Sequence, residues 1–408
     1  MRTGEEQSLH PYGISPDEGK ASTSQRLLGL DGLRGLAALA VMFYHLALMF
    51  PSIADAHGVD GEHSAPWSPT WWLTSTPGHI IIAGPAAVLV FFVLSGVVVT
   101  LPVIRNASFD WMAYFPQRAA RLGLPAVASV LLAAVFVVLG NAFSAEPSGS
   151  MATNWSARTF EFGTFIQSTD VLLGSPILNN ALWTLRYELI FSFMLPIFVV
   201  VALAAKRYWA ANLIICSIVI VIGHFNQAGG YAYLPIFMIG CVIAVQLTAL
   251  QSWVARPSSA VWVRWGAPLV LAASVFLITL HASVWEILPG KGRVQQWSVY
   301  FEFLGAVGLV LVAALWAPAA KFLSTAVLRW LGRISFSLYL IHMPLLVLVD
   351  RLIGPDQTIL KVVLTAVLAF VLAELFCRFV EQPLHRLSRS IGVGSSQVWQ
   401  RTFAAPRP

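Results

Sequence analysis

The stretch "HIIIAGPAAVLVFFVLSGVVVTLPVI", residues 79–104, is apolar over almost its whole length and contains no Asp, Glu, Lys or Arg. A membrane-spanning helix needs roughly 20 predominantly apolar residues, so this stretch is long enough to cross a bilayer. Transmembrane barrels instead have short strands in which apolar and polar residues alternate, and that alternation is missing here. Only helices and closed barrels satisfy every backbone group inside lipid. The stretch therefore predicts a membrane-spanning helix.

The rest of the chain has the composition of an integral membrane protein. Of its 408 residues, 57% are apolar and 11% are charged, whereas soluble domains are about 45–50% apolar and about 25% charged. We therefore predict an all-α, polytopic membrane protein with about ten transmembrane helices. The predicted spans lie near residues 32–50, 80–104, 122–141, 184–204, 210–224, 231–249, 266–284, 299–317, 335–352 and 359–379.

The positions of the positive charges predict the orientation in the membrane. Cytoplasmic loops are rich in Lys and Arg, and 19 of the 25 Lys and Arg residues fall inside when the N-terminus is placed there. Both termini are therefore predicted to be cytoplasmic. Residues 1–27 are then an N-terminal tail, residues 28–387 the ten-helix membrane domain, and residues 388–408 a C-terminal tail with a frayed end. The net charge of +6 belongs to these loops, so we expect the lipid bilayer and not nucleic acid as a partner.

The sequence lacks the signatures of several other site types. The three cysteines lie in apolar stretches without a C-x-x-C spacing, and we interpret them as small buried hydrophobic residues. No group of residues has metal-ligand spacing, so no metal site is expected. The phosphate-binding, zinc-protease and serine-hydrolase motifs are absent as well.

Two ionisable residues share one face of the first predicted span, "LDGLRGLAALAVMFYHL", residues 30–46. Arg34 and His45 are eleven residues apart, which in an α-helix is close to three full turns and a rise of about 16 Å. Arg34 would lie at the cytoplasmic mouth of a cavity and His45 at its bottom. Ionisable residues inside spans are functional by default. The alternative is a structural histidine that bonds to another helix.

Arginines form a second cluster at the cytoplasmic start of the third predicted span. Arg118 and Arg121 are three residues apart, so their side chains point the same way, and paired arginines bind phosphates well. Plain anchoring by positive charge explains the pair equally well.

Further polar residues occur inside two other spans. Arg186 and Glu188 are two residues apart and cannot face each other along a helix, so each needs a partner elsewhere. Tyr339 and His342 share a face of the ninth predicted span, which suits a packed, hydrogen-bonded pair.

Taken in order, six motifs in this chain resemble those of the acyltransferase 3 family of membrane proteins, over residues 28–387. The motifs are Arg34 with His45 after ten intervening residues, "FFVLSG" at 91–96, the R-x-x-R of Arg118 and Arg121, "LWTLRYE" at 182–188, "SFSLYLIHMP" at 335–344 and "RFVEQP" at 378–383.

The resemblance implies a ten-helix fold and transfer of an acyl group, commonly acetyl, from cytoplasmic acyl-coenzyme A to a hydroxyl of a carbohydrate or glycolipid. It makes His45 the catalytic histidine and Glu188 the residue expected to orient the histidine or the acceptor. The donor would be handled by Arg34, Arg118 and Arg121. Supporting roles are expected for Ser95, Trp183, Tyr339 and His342.

The resemblance also implies where the protein acts and what it binds. A bacterial inner membrane is the expected location, and acyl-coenzyme A is a donor substrate, so no cofactor is expected to be bound permanently. Arg186 and Tyr187 stand where many members have small or apolar residues, which would alter acceptor choice. No hydrolase-like domain follows the predicted spans, so the helices or a partner are expected to complete the transfer.

Two questions stay open at this point. His45 could act as a general base on the acceptor hydroxyl or as a nucleophile that carries the acyl group. The chain could also be a proton-coupled secondary transporter or flippase that uses His45 and Glu188, although related halves typical of such proteins are not visible. A receptor that kept the fold without activity is a third alternative.

Overall fold

The described part of the chain is helical throughout. The computed structural model describes residues 16–57, 65–143, 150–154, 159–284 and 291–403, and no strand occurs among them. The prediction of an all-α membrane protein is confirmed.

Eleven long helices make up most of the described residues. They are α1 (Pro16–Ala47), α2 (Gly84–Arg105), α3 (Trp111–Phe143), α4 (Trp183–Ala204), α5 (Trp209–Phe225), α6 (Gly229–Val254), α7 (Ala260–Val284), α8 (Lys291–Leu315), α9 (Ala326–Leu352), α10 (Thr358–Phe376) and α11 (Gln382–Phe403). Shorter helices connect them at Pro51–His57, Pro69–Thr74, Pro77–Ile82, Met151–Asn154, Phe162–Thr169, Asn180–Leu182, Lys206–Tyr208, Pro257–Ser259 and Ala317–Leu323, and a π-helical turn joins α10 to α11 at Cys377–Glu381.

The number of membrane spans agrees with the prediction. Within the described residues, 9 helices are long and apolar enough to cross a bilayer. A tenth crossing arises if the bent pair Val299–Leu315 and Ala317–Leu323, with an angle of 91° between its halves, counts as one span. Each predicted span corresponds to one helix, because runs of this length and hydropathy have no other way to satisfy their backbone in lipid.

The C-terminal end differs from the prediction. Residues 382–403 form α11, which packs against the first turns of α3. The expectation of a frayed end is therefore wrong as far as Phe403, because Ser388, Gly392 and Ser396 give α11 a flat buried face. Parts of both predicted tails, residues 1–15 and 404–408, lie outside the described residues.

Close packing of α1 against α9 sets the geometry of the site. A Cβ on Gly35 would lie 2.6 Å from the backbone nitrogen of Gly332, and a Cβ on Gly332 would collide with the carbonyl of Asp31. These glycines let the two backbones touch, as small residues do between membrane helices. The contact brings Arg34 and His45 of α1 alongside α9.

Candidate active site

A cavity of about 760 Å³ lies between α1, α2, α3, α4 and α9 and the turn that leads into α11. Its volume falls in the range of small-molecule pockets, about 300–1,000 Å³. Along α2 the lining extends from Asn106 to Val88, a distance of roughly 25 Å at the helical rise per residue. One end reaches the exposed connection between α2 and α3, and the inner end lies at Thr184 and Tyr339. The shape suits a long, thin ligand.

One ion pair crosses this cavity from α3 to α4. Arg118 donates to Glu188 Oε1 at 2.8 Å and to the hydroxyl of Ser192 at 3.0 Å. Ser95 of α2 donates to the same carboxylate oxygen at 3.1 Å. Glu188 therefore finds its partner on another helix, as the sequence requires. The structure joins it to Arg118 and Ser95, while its predicted role in orienting the catalytic histidine stays a prediction.

The other two predicted donor-binding arginines face the same space. Arg34 donates to the hydroxyl of Ser335 and to the carbonyl of Gly332, both at 3.1 Å, and lies 3.4 Å from Asp31. Arg121 lines the cavity with an exposed side chain and makes no hydrogen bond or ion pair with any residue that the structure describes. The structure thus brings the three arginines to one cavity and leaves one guanidinium available to a ligand.

An acidic residue to which the sequence analysis gave no role also lines the cavity. Glu381, at the end of the π-helical turn, is buried and accepts a hydrogen bond from Ser337 at 2.5 Å. His385 lies one turn later, with Nε2 3.8 Å from the other oxygen of this carboxylate. π-Helical turns inside longer helices often mark functional sites. The sequence does carry a signal for this site: in "RFVEQPLH", residues 378–385, the Glu precedes the His by four residues, one helical turn.

A contact between α11 and the residue before α3 stabilises the open end of the cavity. Ser396 donates to Oδ2 of Asp110 at 2.5 Å, while Oδ1 of Asp110 accepts from the backbone nitrogen of Ala113 at 2.9 Å. The hydrogen bond from Ser396 and those from the backbone lower the pKa of Asp110 below its ordinary value. Asp110 is therefore an anion at neutral pH and ties α11 to the cavity wall.

His45 forms a pair with His342 of α9. Nε2 of His342 lies 3.2 Å from Nδ1 of His45, and the two ring centroids are 5.1 Å apart. Nδ1 of His45 also lies 2.9 Å from the carbonyl oxygen of Val41. His342 is buried, whereas His45 is half-buried and packs edge-on against Tyr44.

The histidine pair lies just beyond the inner end of the cavity. Neither ring belongs to the cavity lining, and Tyr339, one turn before His342, closes that end. The prediction that His45 lies at the bottom of the cavity therefore differs from the structure, in which Tyr339 lines the cavity and His45 does not. Arg34 and His45 share a face of α1 as predicted, with Ser335 and His342 of α9 opposite them.

The structure shows the surroundings of three residues for which supporting roles were predicted. The hydroxyl of Tyr339 bonds to Thr184 at 2.8 Å and to the carbonyl of Ala181 at 2.9 Å, and its ring only contacts that of His342, with centroids 5.9 Å apart. The predicted packing of the two rings is confirmed, whereas each side chain hydrogen-bonds to other partners. Trp183 packs on the aromatic rings of Tyr187 and Tyr233 and does not line the cavity. Ser95 does line it.

The arrangement combines a cavity lined by several arginines and carboxylates with a pair of imidazole rings just beyond its closed end. Among the described residues, no group of three His, Cys, Asp or Glu side chains could hold a metal ion. The chemistry available from these residues is binding of an anionic ligand by arginine and proton transfer or nucleophilic attack by an imidazole.

Comparisons with known proteins connect this geometry to a family. A family profile described as an acyltransferase domain matches residues 27–378. The chain is 26% identical to peptidoglycan O-acetyltransferase OatA of Listeria monocytogenes over 396 residues, which cover 88% of this chain and 55% of that protein. It is 25% identical to O-acetyltransferase OatA of Staphylococcus aureus over 399 residues, which cover 90% and 58%. The chain spans a little more than half the length of these curated relatives, and no solved structure matches it significantly.

Proposed function

Because the chain belongs to the acyltransferase family whose profile it matches over residues 27–378, we propose that it is a membrane O-acyltransferase. It transfers an acyl group, in the simplest case acetyl, from acyl-coenzyme A to a hydroxyl of a carbohydrate. The relatives named above carry O-acetyltransferase in their names, and one is named for peptidoglycan. An envelope glycan, peptidoglycan first, is accordingly the acceptor to test. The family match does not favour the transporter alternative.

The observation that carries this proposal is the guanidinium of Arg121, which has no ion-pair or hydrogen-bond partner among the described residues and lines a cavity roughly 25 Å long. Coenzyme A has phosphates at one end and the reactive thioester at the other. Arg121 and Arg34 can bind those phosphates through charge-assisted hydrogen bonds. The pantetheine arm then runs along α2 toward Tyr339, which brings the thioester to the closed end of the cavity.

Glu188 acts on the donor side of the reaction in this proposal. Its carboxylate holds Arg118 at 2.8 Å, and Ser95 and Ser192 complete the network. Because this ion pair is nearly neutral, it supplies little attraction for phosphate and instead keeps α3 and α4 at a fixed separation. Arg121 has no such partner among the described residues, so its guanidinium is the one we expect to gain contacts when a donor binds.

His45 performs the acyl transfer at the inner end. As a general base, it takes the proton from the acceptor hydroxyl while that oxygen attacks the thioester carbonyl. The C–S bond breaks, and the proton passes from the imidazole to the leaving sulfur of coenzyme A. In the other route His45 attacks the thioester carbonyl first, the C–S bond breaks and coenzyme A leaves as its thiolate. The acceptor hydroxyl then attacks the acyl-histidine, its proton passes to that thiolate, and the imidazole is released. Both routes need the ring of Tyr339 to move aside, which breaks its bonds to Thr184 and Ala181.

The orientation follows from the positive charges. The arginine end of the cavity faces the cytoplasm, where acyl-coenzyme A is made, and the histidine end lies toward the outer half of the membrane. We propose the cytoplasmic membrane of a bacterium as the location, in line with the organisms of the relatives.

Donor binding tests the proposal directly. The test is to measure binding of acetyl-coenzyme A by calorimetry to the purified wild-type protein and to the Arg121→Ala variant. The control is Arg264→Ala, which removes an exposed arginine on α7 that does not line the cavity. Loss of one charged hydrogen-bond donor to phosphate is worth about 1.5–3 kcal/mol, so binding should weaken about tenfold or more in Arg121→Ala and stay unchanged in the control. Absence of saturable binding in folded wild-type protein contradicts the donor site.

Transfer itself is tested with His45→Ala and soluble peptidoglycan fragments. The variant should bind acetyl-coenzyme A normally and transfer no acetyl group, since the ring acts in the chemical step alone. Retained transfer would remove His45 from the mechanism.

A further inference from the structure

Both rings of the histidine pair point the same nitrogen at their own helix. Nδ1 of His45 lies 2.9 Å from the carbonyl oxygen of Val41, and Nδ1 of His342 lies 3.0 Å from that of Leu338. A carbonyl oxygen can only accept a hydrogen bond. Each Nδ1 therefore carries a hydrogen, and in neutral imidazole Nε2 is then the unprotonated nitrogen.

This assignment determines the bond between the two rings. Nε2 of His342 has no hydrogen, so it can only accept, and the atom facing it at 3.2 Å is Nδ1 of His45. The hydrogen on Nδ1 of His45 is thus shared by two acceptors, the carbonyl of Val41 and Nε2 of His342. The basic nitrogen of His45 is its Nε2, on the opposite side of the ring.

We propose that His342 is a positioning residue for the transfer reaction: it orients the ring of His45 and keeps Nε2 of that ring as the base or nucleophile. This inference rests on the function proposed for His45. When Nε2 takes the acceptor's proton, both nitrogens of His45 carry hydrogens and the ring becomes a cation. Nε2 of His342 stabilises that cation by accepting the hydrogen bond from Nδ1. No proton needs to leave Nδ1, and the proton on Nε2 goes to the departing sulfur.

The environment explains why an imidazole serves here instead of a carboxylate. In hydrolases that use a histidine base, an aspartate takes the orienting role. A carboxylate in the middle of a span costs several kcal/mol when its partner is neutral. His342 is buried in α9 at 2% exposure, and a neutral ring accepts the same hydrogen bond at a much smaller desolvation cost.

Three variants test this role. His342→Leu removes the acceptor, and His342→Gln restores one through its amide oxygen. The control is His79→Leu, because His79 is also buried, at 3% exposure, and its Nδ1 also faces a backbone carbonyl, that of Leu73 at 3.0 Å, but it does not line the cavity. The reaction is release of coenzyme A from acetyl-coenzyme A with soluble peptidoglycan fragments as acceptor.

Hydrogen-bond partners that orient metal-bound histidines are worth about 10- to 100-fold, and we take the same range for a neutral partner of His45. We expect His342→Leu to lower kcat by about that factor, with the KM for acetyl-coenzyme A unchanged. His342→Gln should recover part of the loss, and His79→Leu should match the wild type. A structural role alone would lower folded yield without this split between kcat and KM.

A spectroscopic measurement is independent of activity and of the variants' folding. Wild-type protein is labelled with ¹⁵N-histidine, and the His45 signals are assigned by their loss in His45→Ala. In the ring of His45, Nδ1 should carry a hydrogen and Nε2 should carry none. A proton on Nε2, or a kcat for His342→Leu within twofold of wild type, overturns the inference. Transfer retained by His45→Ala overturns the proposed function instead, so the two failures are distinguishable.

Discussion

At the scale of single residues, the two arginines of the R-x-x-R motif have opposite situations. Arg118 is bound to Glu188 and Ser192, whereas Arg121 has no hydrogen-bond or ion-pair partner in the described part of the chain. Sequence alone treats them as equivalent, because both are basic and three residues apart. The partners on α4 distinguish Arg118, which links two helices, from Arg121, which we propose binds the donor.

This difference predicts opposite effects on stability. Arg118→Ala leaves the half-buried carboxylate of Glu188 without its cation, so we expect a loss of about 1–3 kcal/mol and a lower thermal unfolding temperature in detergent. Arg121→Ala should unfold at the wild-type temperature, because nothing in the described structure depends on it. Equal unfolding temperatures for the two variants would contradict the ion pair's structural role.

Tyr339 offers a second test at this scale. Among the described residues its hydroxyl bonds to Thr184 and Ala181. Tyr339→Phe should therefore lose about 1 kcal/mol of stability and keep transfer within about threefold, because the ring that closes the cavity is retained. The measurement is kcat for acetyl transfer beside a thermal unfolding curve. A loss of a hundredfold would mean that the hydroxyl takes part in the chemistry.

At the scale of helices, the contact between α1 and α9 aligns the donor end and the reacting end of the site. Arg34 bonds to Ser335, and two to three turns further along the same pair of helices His45 meets His342. Both contacts depend on backbones that touch at Gly35 and Gly332.

We therefore expect Gly35→Ala to damage stability and activity together. Its Cβ would lie 2.6 Å from the backbone nitrogen of Gly332, and relief of such overpacking costs about 1–3 kcal/mol. The helices would separate and weaken both polar contacts. Gly266→Ala on α7, where a Cβ meets nothing within 4 Å, is the matched control and should be neutral or slightly stabilising. Unfolding temperature and kcat report the two effects.

The contact between Asp110 and Ser396 makes a prediction about pH. Hydrogen bonds lower the pKa of Asp110 below its ordinary value of 3.8. The contribution of ionised Asp110 to folding stability is therefore present above pH 3.8 and is lost as the pH falls through the lowered pKa. Neutral pH therefore leaves the contact intact. Ser396→Ala should raise the pKa of Asp110 and speed amide hydrogen exchange in α11, with α9 unchanged. Unchanged exchange in α11 would show that apolar packing alone holds it.

At the scale of the whole molecule, one cavity runs from the exposed connection between α2 and α3 to a closed end at Tyr339, whose ring contacts that of His342. The orientation proposed for it requires the connection at 206–208 to be cytoplasmic and the helix Phe162–Thr169 to lie outside. Maleimide labelling in intact cells checks this, since the three native cysteines are buried. A membrane-impermeant reagent should label Gln167→Cys in intact cells and Arg207→Cys only after lysis. The reverse pattern would invert the topology and place the arginines on the outer side.

The sequence by itself determined the fold class, the positions of the spans and the inventory of polar residues inside them. These properties are local: a run of apolar residues must become a helix in lipid, and helical geometry alone puts Arg34 and His45 on one face. The same local reasoning showed that Glu188 needs a partner on another helix, without identifying Arg118.

Only the tertiary structure decided which polar groups meet. The pairs His45–His342, Arg118–Glu188 and Ser337–Glu381 join residues that are between 44 and 297 positions apart in the sequence. The periodicity of one helix does not tell which other helix lies beside it. The packing of small residues determines those neighbours. Tertiary packing also places Tyr339 at the closed end of the cavity, against His342, and α11 against α3. Hydrogen bonds between helices depend on that packing, which cannot be deduced from the sequence of a single helix.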